Sequence, residues 1–298
     1  MTIPPYLKQG DKVGIAAPAR KISEEELLPA VRFLEQEGLV PFYDERLFAE
    51  RHQFAGDDSL RAAYMQDLLD NPDLEAVWCA RGGYGTARII DRLDFAGFRR
   101  NPKWIVGYSD ITVLHSHINR NLDTATLHAA MPIDIARGTD DARRSWTAAL
   151  RGKPLHYEIP PHPLNRATGF TATIVGGNLS ILYSMLATPS DLDTDGKVLF
   201  IEDLDEYLYH IDRMMNSLER SGRLRNLAAL LVGHLSDMHD NTVPFGKNAE
   251  EIVAEHCAKY HFPIIFNVPA GHRPDNRALK MGCPLCCRID GNAIILEQ

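Results

Sequence analysis

Short runs of consecutive apolar residues recur through the first half of the chain, at 13–17, 40–43, 76–79, 104–106 and 125–127. Each is the length of a strand, and unbroken apolar character is what a strand covered on both faces shows. Between these runs, apolar positions return every three or four residues. The stretch 23–37 is the clearest case, with Ser23 and Glu26 at the spacing of a capping box. Pro29 inside it blurs where that helix begins. Strand and helix alternating in this way predict an α/β protein whose N-terminal sheet is mostly parallel and carries helices on both faces.

The second half repeats the pattern, with strands predicted at 172–175, 198–201, 228–232 and 264–268 and a closing hairpin at Asp290-Gly291. A proline-rich stretch at 154–163 stands between the halves. The predicted organisation is an N-terminal α/β domain over 1–150, a linker over 151–170 and a smaller C-terminal α/β domain over 171–298.

Open parallel sheets bind ligands at the carboxyl ends of their strands, so the residues just after each apolar run are the ones to read for chemistry. In KWIVGYSDITVLHSHIN (103–119) a strand ends at Gly107 and a helical period follows, with Ser109 at the joint. A serine on such a turn can project its hydroxyl above the sheet, and the amide of Asp110 can face an oxyanion. The strict elbow pattern has a second glycine where this chain has Ile111, and an N-cap serine is the competing reading. His115 and His117 lie on the following helix and are expected to point away from the turn.

A serine nucleophile needs a histidine held by a carboxylate. Glu202 follows the run 198–201, with Asp203 and Asp205 as equal competitors on spacing. Among the histidines, His272 follows the run 264–268 through a Pro-Ala-Gly loop, whereas His256 and His261 flank a helix end and read as structural. The glycine-rich segment CARGGYGTAR (79–88) also follows a strand. It serves either as a phosphate loop or as the second half of an oxyanion hole. The dinucleotide fingerprint and the P-loop lysine are both absent. A third glycine turn, Gly176-Gly177-Asn178, opens the second half and can face the first across a cleft.

Bulk properties narrow the field. Hydrophobic residues make up 45% and charged residues 24%, the balance of a globular protein, and the net charge of -8 argues against a nucleic-acid partner. The N-terminus lacks the pattern of a signal peptide, and no apolar run is long enough to cross a membrane. The five cysteines are expected as reduced thiols in the cytoplasm. Cys283, Cys286 and Cys287 cluster, but Cys79 and Cys257 fall in a strand and a helix pattern, so no metal is expected.

Ala16-Ala17-Pro18, ARGGYG at 80–85, GYSD at 107–110, GGNL at 176–179, IED at 201–203 and Gly271-His272 together resemble the LD-carboxypeptidase family of serine peptidases, in the family's order and across nearly the whole chain. The resemblance implies a triad of Ser109, Glu202 and His272 and an oxyanion hole from the amides of Gly83 or Gly82 and of Asp110. It implies cleavage of the bond to a C-terminal D-amino acid in murein tetrapeptides, without metal or organic cofactor, by a cytoplasmic homodimer. Arg81, Gly177, Asn178 and Arg213 neighbour these motifs and are candidate substrate contacts. The family's microcin-immunity branch, acting on an aminoacyl-nucleotide, is the alternative. It is disfavoured because no tryptophan follows Trp146 to stack a base. From a different class, a non-catalytic small-ligand binding protein would use the same glycine turns for an anion.

Overall fold

The computed structural model describes residues 1–298. In the first half, β1 (Lys12–Ala16), β2 (Val40–Phe42), β3 (Leu74–Cys79), β4 (Trp104–Gly107) and β5 (Thr126–His128) are mutually parallel, in spatial order β5-β4-β3-β1-β2. The central strand β4 is buried at every position and β3 at all but Glu75, as their unbroken apolar runs require. The crossovers carry α1 (Glu24–Gln36), α2 (Asp58–Asp70), α3 (Ala96–Arg100) and α4 (Thr112–Leu122), and α5 (Asp140–Leu150) follows β5. At the start of α1, Ser23 Oγ accepts from the Glu26 amide and Glu26 accepts from the Ser23 amide. Pro29 is accommodated within this helix and does not end it.

The second half contributes β6 (His156–Ile159), β7 (Phe170–Asn178), β8 (Val198–Leu204), β9 (Ala229–Ser236) and β10 (Ile264–Ile265), with α6 (Leu179–Ser184), α7 (Leu208–Arg220) and α8 (Ala249–His256) between them. Three further strands follow, β11 (Leu279–Met281), β12 (Pro284–Asp290) and β13 (Ala293–Glu297). The second sheet runs β10-β9-β8-β7-β12-β13-β6, parallel from β10 to β7 and antiparallel beyond.

The structure departs from the sequence reading in three places. The stretch expected as linker contains β6, which forms the sheet edge by pairing with β13. The strand expected over 264–268 stops at Ile265, because the Phe266 amide turns to Asn165 Oδ1 (2.7 Å) and Asn267 is left-handed. Finally, β11 does not stay with its own half. It returns to pair antiparallel with β5, so the first sheet is completed by a strand from near the end of the chain. One continuous hydrophobic core runs through both sheets. No helix is long and apolar enough to cross a membrane.

Candidate active site

β4 ends at Gly107, where an added Cβ would stand 2.9 Å from the Ile111 side chain and force it aside. Ser109 then adopts φ +61, the left-handed region that costs a residue with a side chain about 1–2 kcal/mol. That conformation turns its Cβ out of the helical path. Ser109 caps neither the short 3-10 turn it begins nor α4, and the N-cap reading is set aside. His115, expected to point away, folds back beneath the turn and contacts the Gly107 carbonyl through Nε2 at 2.9 Å. Burial lowers its pKa to about 4.

Ser109 opens into a cleft of about 730 Å³ between the two sheets, lined also by His272, Asn178, Asp203, Arg20 and Arg81. Glycine turns bring the walls close. A Cβ on Gly82 would stand 3.1 Å from Ser109 Oγ, and Gly83 has φ +104. The amides of Gly82 and Gly83 donate to no protein acceptor. The Asp110 carboxylate is buried and accepts the Thr86 amide at 2.9 Å, and burial raises its pKa.

The strand end at 201–204 separates the three acids that spacing left equivalent. A register shift between β8 and β9 falls at Ile201/Asp203. Glu202 is fully buried, and its Oε2 lies 2.6 Å from His272 Nδ1. Asp203 instead accepts from Asn178 Nδ2 (2.9 Å) and the Ser180 amide (2.8 Å), and Asp205 lies 2.5 Å from His239. Burial and then the neighbouring Glu202 charge raise the Asp203 pKa to about 7. For His272, burial disfavours the charged ring, but the charge and hydrogen bond of Glu202 outweigh it and raise its pKa above 6.5. With Nδ1 engaged, Nε2 is the nitrogen left for the cleft. Ser109 Oγ and the imidazole share that cleft with no hydrogen bond between them; such bonds are often long before substrate binds.

Other expected contacts fall differently. Gly177 does not line the cleft. It packs against Thr112, where an added Cβ would meet Cγ2 at 2.8 Å, and Thr112 Oγ1 accepts the Asn178 amide at 3.0 Å. Its role is to let the two halves approach. Asn178 lines the cleft but spends its side chain on Asp203 and on capping α6. Arg81 lines the cleft and is paired with Glu26 at 3.2 Å. Arg213 sits over the Tyr209 ring on α7, away from the cleft lining.

Sequence reasoning passed over three residues. The Tyr108 ring lies 4.7 Å from that of His272, and its place inside GYSD was the available signal. Asn276 accepts the Gly271 amide at 2.9 Å, so it holds the loop immediately before His272; no pattern marked it. Arg20 follows the Ala-Ala-Pro motif and reaches the glycine turn.

The chain matches two family models in order: the LD-carboxypeptidase N-terminal domain over residues 13–129 and the LD-carboxypeptidase C-terminal domain over residues 171–286. It is 34% identical to a Bacillus subtilis protein named as a probable murein peptide carboxypeptidase, covering 99% of this chain and 94% of the relative. It is 29% identical to a murein tetrapeptide carboxypeptidase of Pseudomonas aeruginosa over 91% of each chain. The crystal structure of a muramoyltetrapeptide carboxypeptidase from Oxalobacter formigenes superposes with a TM-score of 0.87 at 27% identity, covering 96% of this chain and 98% of that one. A microcin C7 self-immunity protein reaches the same TM-score at 20% identity over 100% of this chain and 98% of its own, a likeness of fold. The paired domain models and the end-to-end relatives identify the chain as a member of the LD-carboxypeptidase family.

Proposed function

We propose that the protein is a serine carboxypeptidase that removes the C-terminal D-amino acid from murein tetrapeptides, with Ser109 as nucleophile, His272 as general base and Glu202 orienting the base. The observation that carries this reading is the 2.6 Å contact between His272 Nδ1 and a fully buried Glu202, on the wall of the cleft into which a left-handed Ser109 opens. Glu202 fixes the tautomer with the proton on Nδ1, leaving Nε2 basic. Ser109 Oγ attacks the carbonyl of the L-configured residue and its proton passes to Nε2. The tetrahedral oxyanion rests on backbone amides, for which the unengaged N–H group of Gly83 or Gly82 is suited, with that of Asp110 completing the pair. The imidazolium, favoured by the Glu202 charge, then protonates the departing amine. Water, deprotonated by the same imidazole, releases the acyl group from Ser109.

The substrate class rests on the names of the Bacillus, Pseudomonas and Oxalobacter relatives. Action in the cytoplasm on recycled wall peptides and assembly as a homodimer belong to the same reading. Five unpaired cysteines support the reducing compartment, and sedimentation analysis tests the dimer. The decisive experiment is incubation with murein tetrapeptide and mass detection of released D-alanine. Release by the wild type and its loss in Ser109→Ala are expected. Folded wild-type protein that releases none refutes the assignment.

A further inference from the structure

We propose that Arg20 is the specificity residue that holds the substrate's C-terminal carboxylate; this rests on the carboxypeptidase reading above. An exopeptidase must recognise the free end of its substrate, and in a peptide that end is an anion. Three arginines line the cleft. Two are already matched to acids: Arg81 to Glu26 at 3.2 Å and Arg137 to Asp134 at 2.6 Å. Arg20 has no carboxylate partner. Its one side-chain hydrogen bond is to the neutral Gln53 Oε1, at a long 3.5 Å. A guanidinium offers five donors in a planar fork that matches a carboxylate in two parallel bonds. Arg20 is therefore the cleft cation with both its charge and most of its donors unspent.

Its position fits the length of the leaving group. The carboxylate carbon of the departing residue is three bonds from the attacked carbonyl carbon, or about 4 Å. That carbonyl carbon sits about 3 Å from the nucleophile. The clamp must therefore stand within roughly one residue's reach of Ser109, on the far side of the oxyanion turn. The Arg20 stem lies across that turn. A Cβ on Gly83 would stand 2.5 Å from Arg20 Cδ and 2.8 Å from Cγ, while a Cβ on the adjacent Gly82 would stand 3.1 Å from Ser109 Oγ. The Arg20 amide also points to the Gly82 carbonyl, at 3.4 Å. Gly83 thus has a second reason to lack a side chain: it lets the arginine lie flat against the turn. The group binding the carboxylate and the amides facing the oxyanion are fixed to one another, so holding the first aligns the carbonyl with the second.

The test compares two substrates that differ only at the recognised end: the murein tetrapeptide with its free carboxylate, and the same peptide as its C-terminal amide. The wild type should prefer the acid. Arg20→Ala should lower kcat/KM on the acid about 10- to 100-fold, the worth of a lost charge-assisted pair, chiefly through KM. It should lower the slower amide reaction far less, so that the preference collapses. Arg20→Lys should restore part of it, since it keeps the charge but not the fork. The proposal is overturned if Arg20→Ala keeps the preference while Arg81→Ala or Arg137→Ala loses it. It is also overturned if Arg20→Ala slows acid and amide equally, which would make Arg20 a support for the turn. Folded wild-type protein that cleaves neither peptide defeats the carboxypeptidase reading itself, an outcome separate from both.

Discussion

Replacing Ser109 by glycine should stabilise the protein while abolishing turnover, whereas replacing it by alanine should abolish turnover with little gain. The difference lies in the backbone. At φ +61 a side-chain-bearing residue is held about 1–2 kcal/mol above its relaxed conformation. Alanine keeps that cost and removes only a hydroxyl that caps no helix. Glycine removes the cost but widens the unfolded ensemble, which offsets about 0.5–1 kcal/mol. The net expectation is a glycine variant about 0–1.5 kcal/mol more stable than the alanine variant. At about 2–4 °C per kcal/mol for a chain of this size class, it should melt up to about 6 °C higher. The assay is a paired thermal melt of the two variants in one buffer, with D-alanine release measured alongside. At an ordinary backbone position glycine is the less stable of the two. A glycine variant that melts below the alanine variant would therefore refute the claim that the turn holds strain for the sake of its hydroxyl.

Glu202→Gln preserves shape but removes the charge behind His272, and kcat should fall about 10³- to 10⁴-fold. Because the neutral imidazole is the active form and Glu202 raises its pKa, the acid limb of the residual kcat/KM profile should move to lower pH; an unmoved limb counts against the pairing. His115 and His234 are lowered to about 4 by burial, and His128 is lowered as well. The unfolded chain takes up protons on these rings that the folded chain refuses. The contribution of these three rings to stability should therefore be full above pH 6.5 and fall as pH drops toward 4, by about 1.4 kcal/mol per proton per pH unit. Asp203 and Asp110, raised by burial, bind protons in the opposite sense over the same range, so the rings are read one by one from their NMR titration. A ring that protonates at about pH 6.5 in the folded protein would exclude its neutral burial. His272, raised by its partner, contributes in the opposite sense, with stability present at low pH and lost as pH rises through its folded value. Gly177→Ala should force Thr112 away and lower stability by about 1–3 kcal/mol; an unchanged urea midpoint would show that the two halves tolerate a wider gap.

Much of this was readable from the sequence because it depends on local pattern. β3 and β4 are buried on both faces, so their apolar runs were unbroken, and the α1 capping box is a spacing of three residues. The position of Ser109 at a strand-to-helix joint was equally local. What depended on three dimensions was not. Spacing alone could not rank Glu202, Asp203 and Asp205, because which acid faces His272 depends on a loop far along the chain. Gly177 looked like a ligand turn, yet its missing side chain serves contact between the two halves. The edge strand β6 was hidden by the prolines around it, since its pairing partner β13 lies far along the chain. Arg20 carries no pattern of its own; its significance appears only when its neighbours' acids are counted.

The return of β11 to the first sheet has a mechanical consequence for the base. The segment bearing His272 leaves β10 in one sheet and re-enters the other at β11, like a span resting on two separate abutments. The imidazole therefore belongs to neither half alone. Any slippage between the lobes would carry it relative to the Ser109 hydroxyl, so under the proposed mechanism correct assembly of the whole molecule is itself a condition for turning over substrate.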